Sequence, residues 1–391
     1  MNPVKLGVIG LGNMGSSHLR YLCQMQTVKI AGVCDIIPEK TDRFAQLYQT
    51  RAFYSHREML ESGEVQAVII AVPHYDHVPI AVDAFERGIH VMTEKPITVH
   101  VNGAKRMIAA YEKAKERLPK LVFGIMFQER TLPCYRKIKD ILQGGELGRL
   151  TRVTWINTTW FRSQAYYDSG GWRATWAGEG GGILTNQCPH NLDMYHWLFG
   201  MPERVNGFAH IGKFHDIEVE DEVTAYMEHE NGMIGHFIVT TGECPGTNRF
   251  EIVGENGTLV WHRGEMLLYR NRVSMLDYCR TTNQGFGAVE NWETHIPVDM
   301  NQPQGHRVVT ERFIRSIQTG DIDLIANGTE GLNPVMLANG IMLSSFEERA
   351  VYFPLNGDAY EKKLQELIQN SRYEKKTSGS AQIDFEKSLT R

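Results

Sequence analysis

In the first third of the chain the apolar positions come in short unbroken runs, with polar-faced helical stretches between them. The runs are Lys5–Ile9, Lys29–Cys34, Ala67–Val72, His90–Thr93 and Leu121–Ile125. The stretches between are Gly15–Cys23, Pro38–Tyr48, Ile80–Arg87 and Val101–Arg117. Continuous apolar strands are covered on both faces, and strands that alternate with helices run parallel. Residues 1–128 are therefore predicted to form a parallel sheet with helices on both sides.

After residue 128 the pattern changes. Leu150–Thr159, Arg204–Ile211, Val223–Glu230, Met233–Thr241, Phe250–Val253 and Thr258–His262 are β-like runs of mixed period, with Glu230-Asn231-Gly232 and Glu255-Asn256-Gly257 as turns. Consecutive strands joined by such short turns pair antiparallel. Helical stretches at about Asn186–Leu198 and His306–Gln318 are expected to pack against that sheet, making residues 129–372 a second, α+β domain. One face of its sheet is left to meet another subunit. From Tyr373 the chain is polar and aperiodic, and 373–391 reads as a flexible tail.

Composition narrows the class. A chain of 391 residues exceeds what one core supports, about 250–300 residues. A net charge of −5 argues against a broad nucleic-acid surface, which needs a basic excess. The six cysteines form no C-x-x-C pair and fit reduced thiols. With no signal-peptide pattern and no membrane-length apolar run, the expectation is a cytoplasmic enzyme with no membrane partner. The histidines of PHYDH, and His190 with His196, bring no third and fourth ligand, so no metal is expected.

The strongest local chemistry is Gly10-Leu11-Gly12-Asn13-Met14-Gly15, which follows a strand and opens a helix. Gly10 allows a tight turn, Gly12 a close approach to a pyrophosphate, and Gly15 close helix–strand packing. The helix N-terminus, from Asn13 and Met14 onward, offers N–H groups to the phosphates. A second strand ends in Asp35, whose carboxylate accepts from ribose hydroxyls and repels a 2′-phosphate. The cofactor read from this pattern is NAD rather than NADP. Lys40 and Arg43 nearby read as ordinary helix-surface charges.

At Glu94-Lys95-Pro96, after the run His90–Thr93, the sequence resembles the Gfo/Idh/MocA oxidoreductases. The likeness covers about residues 4–355. It takes in the glycine motif, Pro73 with His77 in PHYDH, the tripeptide, Gly181-Gly182 leading to His190, and the closing stretch Glu330–Leu355. The resemblance implies an α/β chain: an N-terminal Rossmann domain, then an α+β domain with a large open, mainly antiparallel sheet buried in a homodimer or homotetramer. It maps the family lysine to Lys95 and the family histidine to His190, with substrate over the nicotinamide between the domains. Pro73, His77, Glu94, Lys95, Pro96 and Gln128 are then expected on the cofactor.

Chemistry argues alongside. Oxidising a secondary alcohol needs a base to take the hydroxyl proton as hydride leaves carbon. Lys95, at the end of a parallel strand, and His190 are the expected pair. Asn186, His190 and Asp193 are spaced to share one helix face, although Pro189 favours a helix start there. Many family dehydrogenases carry aspartate where this chain has Asn186, which can bond a hydroxyl but accept no proton. Arg130, and Trp172 with Arg173 in the loop Tyr166–Gly182, are further candidates for substrate contact. The expected activity is NAD-dependent oxidation of a ring hydroxyl of a sugar, sugar derivative or cyclitol, or its reverse. The alternatives are an NAD-dependent glycosidase that retains its cofactor and a non-catalytic NAD-binding sugar sensor.

Overall fold

The structure, a computed structural model, describes residues 2–371, so the tail expected at 373–391 lies outside the described residues. The first six strands are β1 (Val4–Ile9), β2 (Val28–Cys34), β3 (Arg51–Phe53), β4 (Ala67–Ile70), β5 (His90–Thr93) and β6 (Phe123–Ile125). They form one parallel sheet in the order β3-β2-β1-β4-β5-β6. All four residues of β4 are buried, as a strand covered on both faces requires. The order reverses between β1 and β4. In open α/β sheets the crevice outside the strand ends at such a switch point is where ligands bind.

Helices Asn13–Leu22 and Pro38–Tyr48 cover one face, where Leu19 and Phe44 share a core with Leu6, Val8 and Ile69. Helices His77–Glu86 and Val101–Arg117 cover the other. The expected helix at His306 is present as His306–Thr319, but not against the second sheet. Its Val309, Phe313 and Ile314 belong to the first core. The chain thus returns to its N-terminal half late, across the division drawn at residue 128.

The second sheet has nine strands: β7 (Leu150–Asn157), β8 (Arg204–Ile211), β9 (Glu220–Glu228), β10 (Ile234–Thr240), β11 (Asn248–Gly254), β12 (Gly257–His262), β13 (Glu265–Asn271), β14 (Asn291–His295) and β15 (Val351–Tyr352). Their order is β14-β13-β12-β11-β7-β10-β9-β8-β15, antiparallel throughout except for the parallel pair β7 and β10. Trp155, Phe237 and Phe250 are buried on the inner face. Trp155 packs on Tyr135 of helix Pro133–Gln143, and Phe250 on Phe199.

The helix expected over Asn186–Leu198 is two, Ile183–Asn186 and Pro189–Phe199. Proline lacks an N–H and disfavours helical backbone at the residue before it, so the second helix starts at Pro189. Among the described residues, no helix is long and apolar enough to cross a membrane.

Candidate active site

At the end of β1 the chain turns at Gly10, with φ +91°. A Cβ on Gly10 would lie 2.3 Å from the Ala71 carbonyl oxygen, and one on Gly15 1.8 Å from the Gly10 carbonyl oxygen, so both positions require glycine. A Cβ on Gly12 would meet nothing within 4 Å, so that side of the loop is open. Gly12 caps helix Asn13–Leu22 without a side-chain hydrogen bond. The first-turn N–H groups and the positive end of the helix dipole are left for an anion, and the loop fits a dinucleotide's pyrophosphate. Asn13 is exposed there and Met14 half-buried.

Asp35 follows β2 and accepts from the Leu11 N–H (2.8 Å), the Ile37 N–H (3.1 Å) and Lys40 Nζ (3.2 Å). Its carboxylate therefore stands beside the glycine loop. Lys40, read from the sequence as an idle surface charge, is its ion-pair partner.

The turns after β4 and β5 correct two expected cofactor contacts. Pro73 is exposed at the rim, but His77 is fully buried. The ring nitrogens of His77 lie 2.8 Å from the Pro96 carbonyl and 2.9 Å from the Val72 carbonyl, so the residue ties the two turns together. Glu94 also points inward, accepting from His18 Nε2 (2.8 Å) and from the Lys95 N–H (3.2 Å). Burial raises the Glu94 carboxyl, but the His18 bond and charge outweigh it, helped by His306 and Lys95, and hold it at about 2. Dry polar groups take protein partners, so neither residue is left for a cofactor. Pro96 is buried and Lys95 half-buried at the same turn.

Lys95 Nζ donates to the main-chain carbonyl of Asn186 at 2.8 Å, joining the end of β5 to the second domain. Burial pushes Lys95 below its ordinary value, against the opposing pull of Glu94, Glu129 and Glu179. His190, second in helix Pro189–Phe199, lies within the electrostatic reach of that amine. Burial first and then Lys95 push it well below the usual imidazole range. Gln128, expected on the cofactor, holds His190 instead: its Nε2 is 2.9 Å from His190 Nε2. His190 Nδ1 is buried without a hydrogen-bond partner. Two bases from two domains, both driven towards their neutral forms, thus lie within electrostatic reach of each other.

Other expectations change. Asn186 belongs to the preceding short helix, so it does not share one helix face with His190 and Asp193. Arg130 and Asp193, expected on substrate, are spent on each other. Arg130 Nε and Nη2 donate to the two Asp193 oxygens at 2.9 and 2.7 Å, while Nη1 donates to Glu330 at 2.7 Å. Their side chains are 3% and 2% exposed, and buried charges are stable only when paired in this way.

Trp172 packs edge-on against His74 with centroids 5.5 Å apart, and Arg173 lies over the Trp172 and Tyr166 rings at 4.8 and 4.7 Å. Two carboxylates escaped sequence reasoning. Burial raises Glu129 to about 7 against the pull of Lys95. Glu179 is buried and bonds the Asn186 amide. The one signal for Glu179 was a lone charge in the run Gly178–Gly182; Glu129 lay between two residues already singled out.

Two family models match this architecture. "Oxidoreductase family, NAD-binding Rossmann fold" matches residues 4–119, and "GFO/IDH/MocA C-terminal domain" matches residues 135–260, together more than half of the chain. The chain belongs to the GFO/IDH/MocA family of oxidoreductases.

This family member is 30% identical over 204 residues to the rhizopine catabolism protein MocA of Rhizobium meliloti, covering 51% of this chain and 58% of that protein. It is 30% identical over 149 residues to inositol 2-dehydrogenase of Salmonella typhimurium, covering 37% of this chain and 43% of that one. The chain thus spans about half the length of these curated relatives. The WlbA dehydrogenase from Bordetella pertussis, solved with NADH and UDP-GlcNAcA, matches with a TM-score of 0.76 at 25% identity. That match covers 91% of this chain and 100% of the other.

Proposed function

We propose that this chain is an NAD-dependent dehydrogenase that oxidises a secondary ring hydroxyl of a sugar, sugar derivative or cyclitol, or runs the reverse reduction. The observation that carries the reading is that Lys95, at the end of β5, is tied to Asn186 of the second domain, four residues before His190, and lies within electrostatic reach of that histidine. Both are pushed towards their neutral forms, the state in which an amine or imidazole accepts a proton. Bound NAD supplies the hydride acceptor.

Lys95 takes the hydroxyl proton in oxidation and returns it in reduction, its amine held by the Asn186 carbonyl. His190, whose Nε2 accepts from the Gln128 amide, carries its hydrogen on Nδ1 and offers it as a donor to the substrate oxygen, leaving proton acceptance to Lys95. Arg130 and Asp193 brace the helix that carries His190 rather than touching substrate. Trp172 and Arg173 offer an aromatic face and guanidinium donors to a hydroxylated ring. Asp35 favours NAD by repelling a 2′-phosphate. The relatives named for inositol and UDP-GlcNAcA support a polyhydroxylated ring as substrate. On this reading residues 1–128, with helix His306–Thr319, form the cofactor domain, and 129–372 hold substrate and the subunit interface.

The test follows the reduced-nicotinamide absorbance while the enzyme and NAD meet a panel of sugars, cyclitols and sugar acids. The signal is expected to grow with one class and to vanish in Lys95→Ala. A flat trace across the panel, with NAD binding confirmed by calorimetry, would overturn the reading.

A further inference from the structure

The loop that carries Trp172 and Arg173 also carries an acid that the mechanism above does not use. Glu179 is 2% exposed. Its carboxylate accepts from the Ala174 N–H at 2.6 Å and from the side-chain amide of Asn186. Its main-chain carbonyl accepts from His74 Nδ1 at 3.1 Å. The carbonyl of that same Asn186 holds Lys95 Nζ at 2.8 Å. One acidic residue therefore connects the loop, the turn after β4 and the short helix that grips the lysine.

We propose that Glu179 is a positioning residue for Lys95: its buried carboxylate clamps Asn186, whose carbonyl anchors the amine, and sets a fixed negative charge behind it. The proposal rests on the reading of Lys95 as the proton-handling group. The charged and titratable groups facing Lys95 are Glu94, Glu129, Glu179, Arg173, His74, Cys188, His190 and His306. Glu94 is engaged by His18, and Glu129, at about 7, is part-protonated near neutral pH. Glu179 is the carboxylate tied to the lysine's own anchor.

Burial alone drives Lys95 towards the neutral amine. That form suits proton acceptance but leaves nothing to donate in the reverse reaction. A fixed carboxylate restores part of the protonated population, so the same amine serves both directions.

Competitive labelling with limiting acetic anhydride across a pH series, read by peptide mass spectrometry, gives the Lys95 titration without substrate or turnover. Glu179→Gln keeps the length and one of the two acceptor oxygens and removes the charge. The Lys95 midpoint is expected to fall by about one pH unit, the scale of one neighbouring charge. The reciprocal double variant, Glu179→Gln with Asn186→Asp, keeps the pair bonded and moves the charge across the contact. Its midpoint is expected to return most of the way to that of the unaltered enzyme.

A midpoint unmoved in Glu179→Gln, or displaced in the double variant as far as in the single one, overturns the proposal. Should Glu179→Gln not fold, the double variant decides alone: a restored midpoint supports the assignment and a displaced one removes it. Failure of the dehydrogenase reading would appear elsewhere, as absent nicotinamide reduction with the Lys95 shift intact.

Discussion

Asp35 closes β2 with one oxygen on the glycine loop and its charge paired to Lys40. On that pairing, cofactor choice is expected to turn on this one residue. With the carboxylate present, a 2′-phosphate meets like charge; without it, Lys40 is released at the place where that phosphate would lie. Asp35→Ser is expected to lower kcat/KM with NAD about tenfold, or about 1.4 kcal/mol, and to raise it with NADP. Initial rates with both dinucleotides check this, and an unchanged ratio would remove Asp35 from the ribose site.

At this scale the sequence disclosed residue types but not directions. The places of the glycines and Asp35 were legible because strand–turn–helix context fixes where such positions lie, whereas Lys95 and His190 were picked out through the family resemblance. His77, Glu94 and Gln128 were read towards the cofactor, yet they turn to Val72, His18 and His190. The choice depended on which neighbours were dry, and spacing carries no burial. Glu179 went unread although its carboxylate's partners, Ala174 and Asn186, are near it in sequence, because spacing does not show that a loop folds back on its own acid.

Elements are coupled by a buried polar chain. Thr310 meets the Tyr21 hydroxyl at 2.8 Å, Tyr21 meets His18, and His18 meets Glu94 at 2.8 Å. Helix Asn13–Leu22, the returning helix His306–Thr319 and the end of β5 are thereby locked next to Lys95. Glu94 is held at about 2, below the ordinary carboxyl value of ~4.3 in an unfolded chain. Its folded value is depressed, so its contribution to stability is present above pH ~4.3 and is lost as pH falls towards 2.

His18→Leu leaves that carboxylate buried without its partner. The variant is expected to be less stable by about 3 kcal/mol at neutral pH, with the difference shrinking below pH ~4.3. Urea denaturation at pH 7 and at about pH 3 reads this; an equal difference at both values would show that Glu94 is not the group concerned. The proline start of the His190 helix was legible from Pro189 alone. The seat of His306–Thr319 was not, because an apolar stripe says that a helix is buried, not against which sheet.

For the whole molecule, six strands of the second sheet, β7 to β12, were legible as a run, but β13, β14 and β15 and the order of the sheet were not. β7, the first strand of that sheet, lies between β10 and β11, so a strand formed early becomes central only when later ones flank it. That order builds an outer face. Aligned across it, in register, run Phe208, Thr224, Ile238, Ile156, Arg249 and His262. Phe208 is 60% exposed, and Ile238 and Ile156 are half-buried in the same row, while the residues between them pack inward on the helices.

A sheet face that carries apolar side chains among polar ones, with no covering layer among the described residues, is the kind of surface that a second copy of a chain covers isologously. Association through this face predicts that Ile238→Glu, within the row, buries an unpaired charge in the contact. Light scattering on the eluting protein should then give half the mass of the unaltered enzyme or less, with the fold retained by circular dichroism. The glycine loop and Asp35 belong to the first sheet, away from this face, so the variant should still bind NAD. An unaltered mass in Ile238→Glu and in Phe208→Glu would place the subunit contact on another surface.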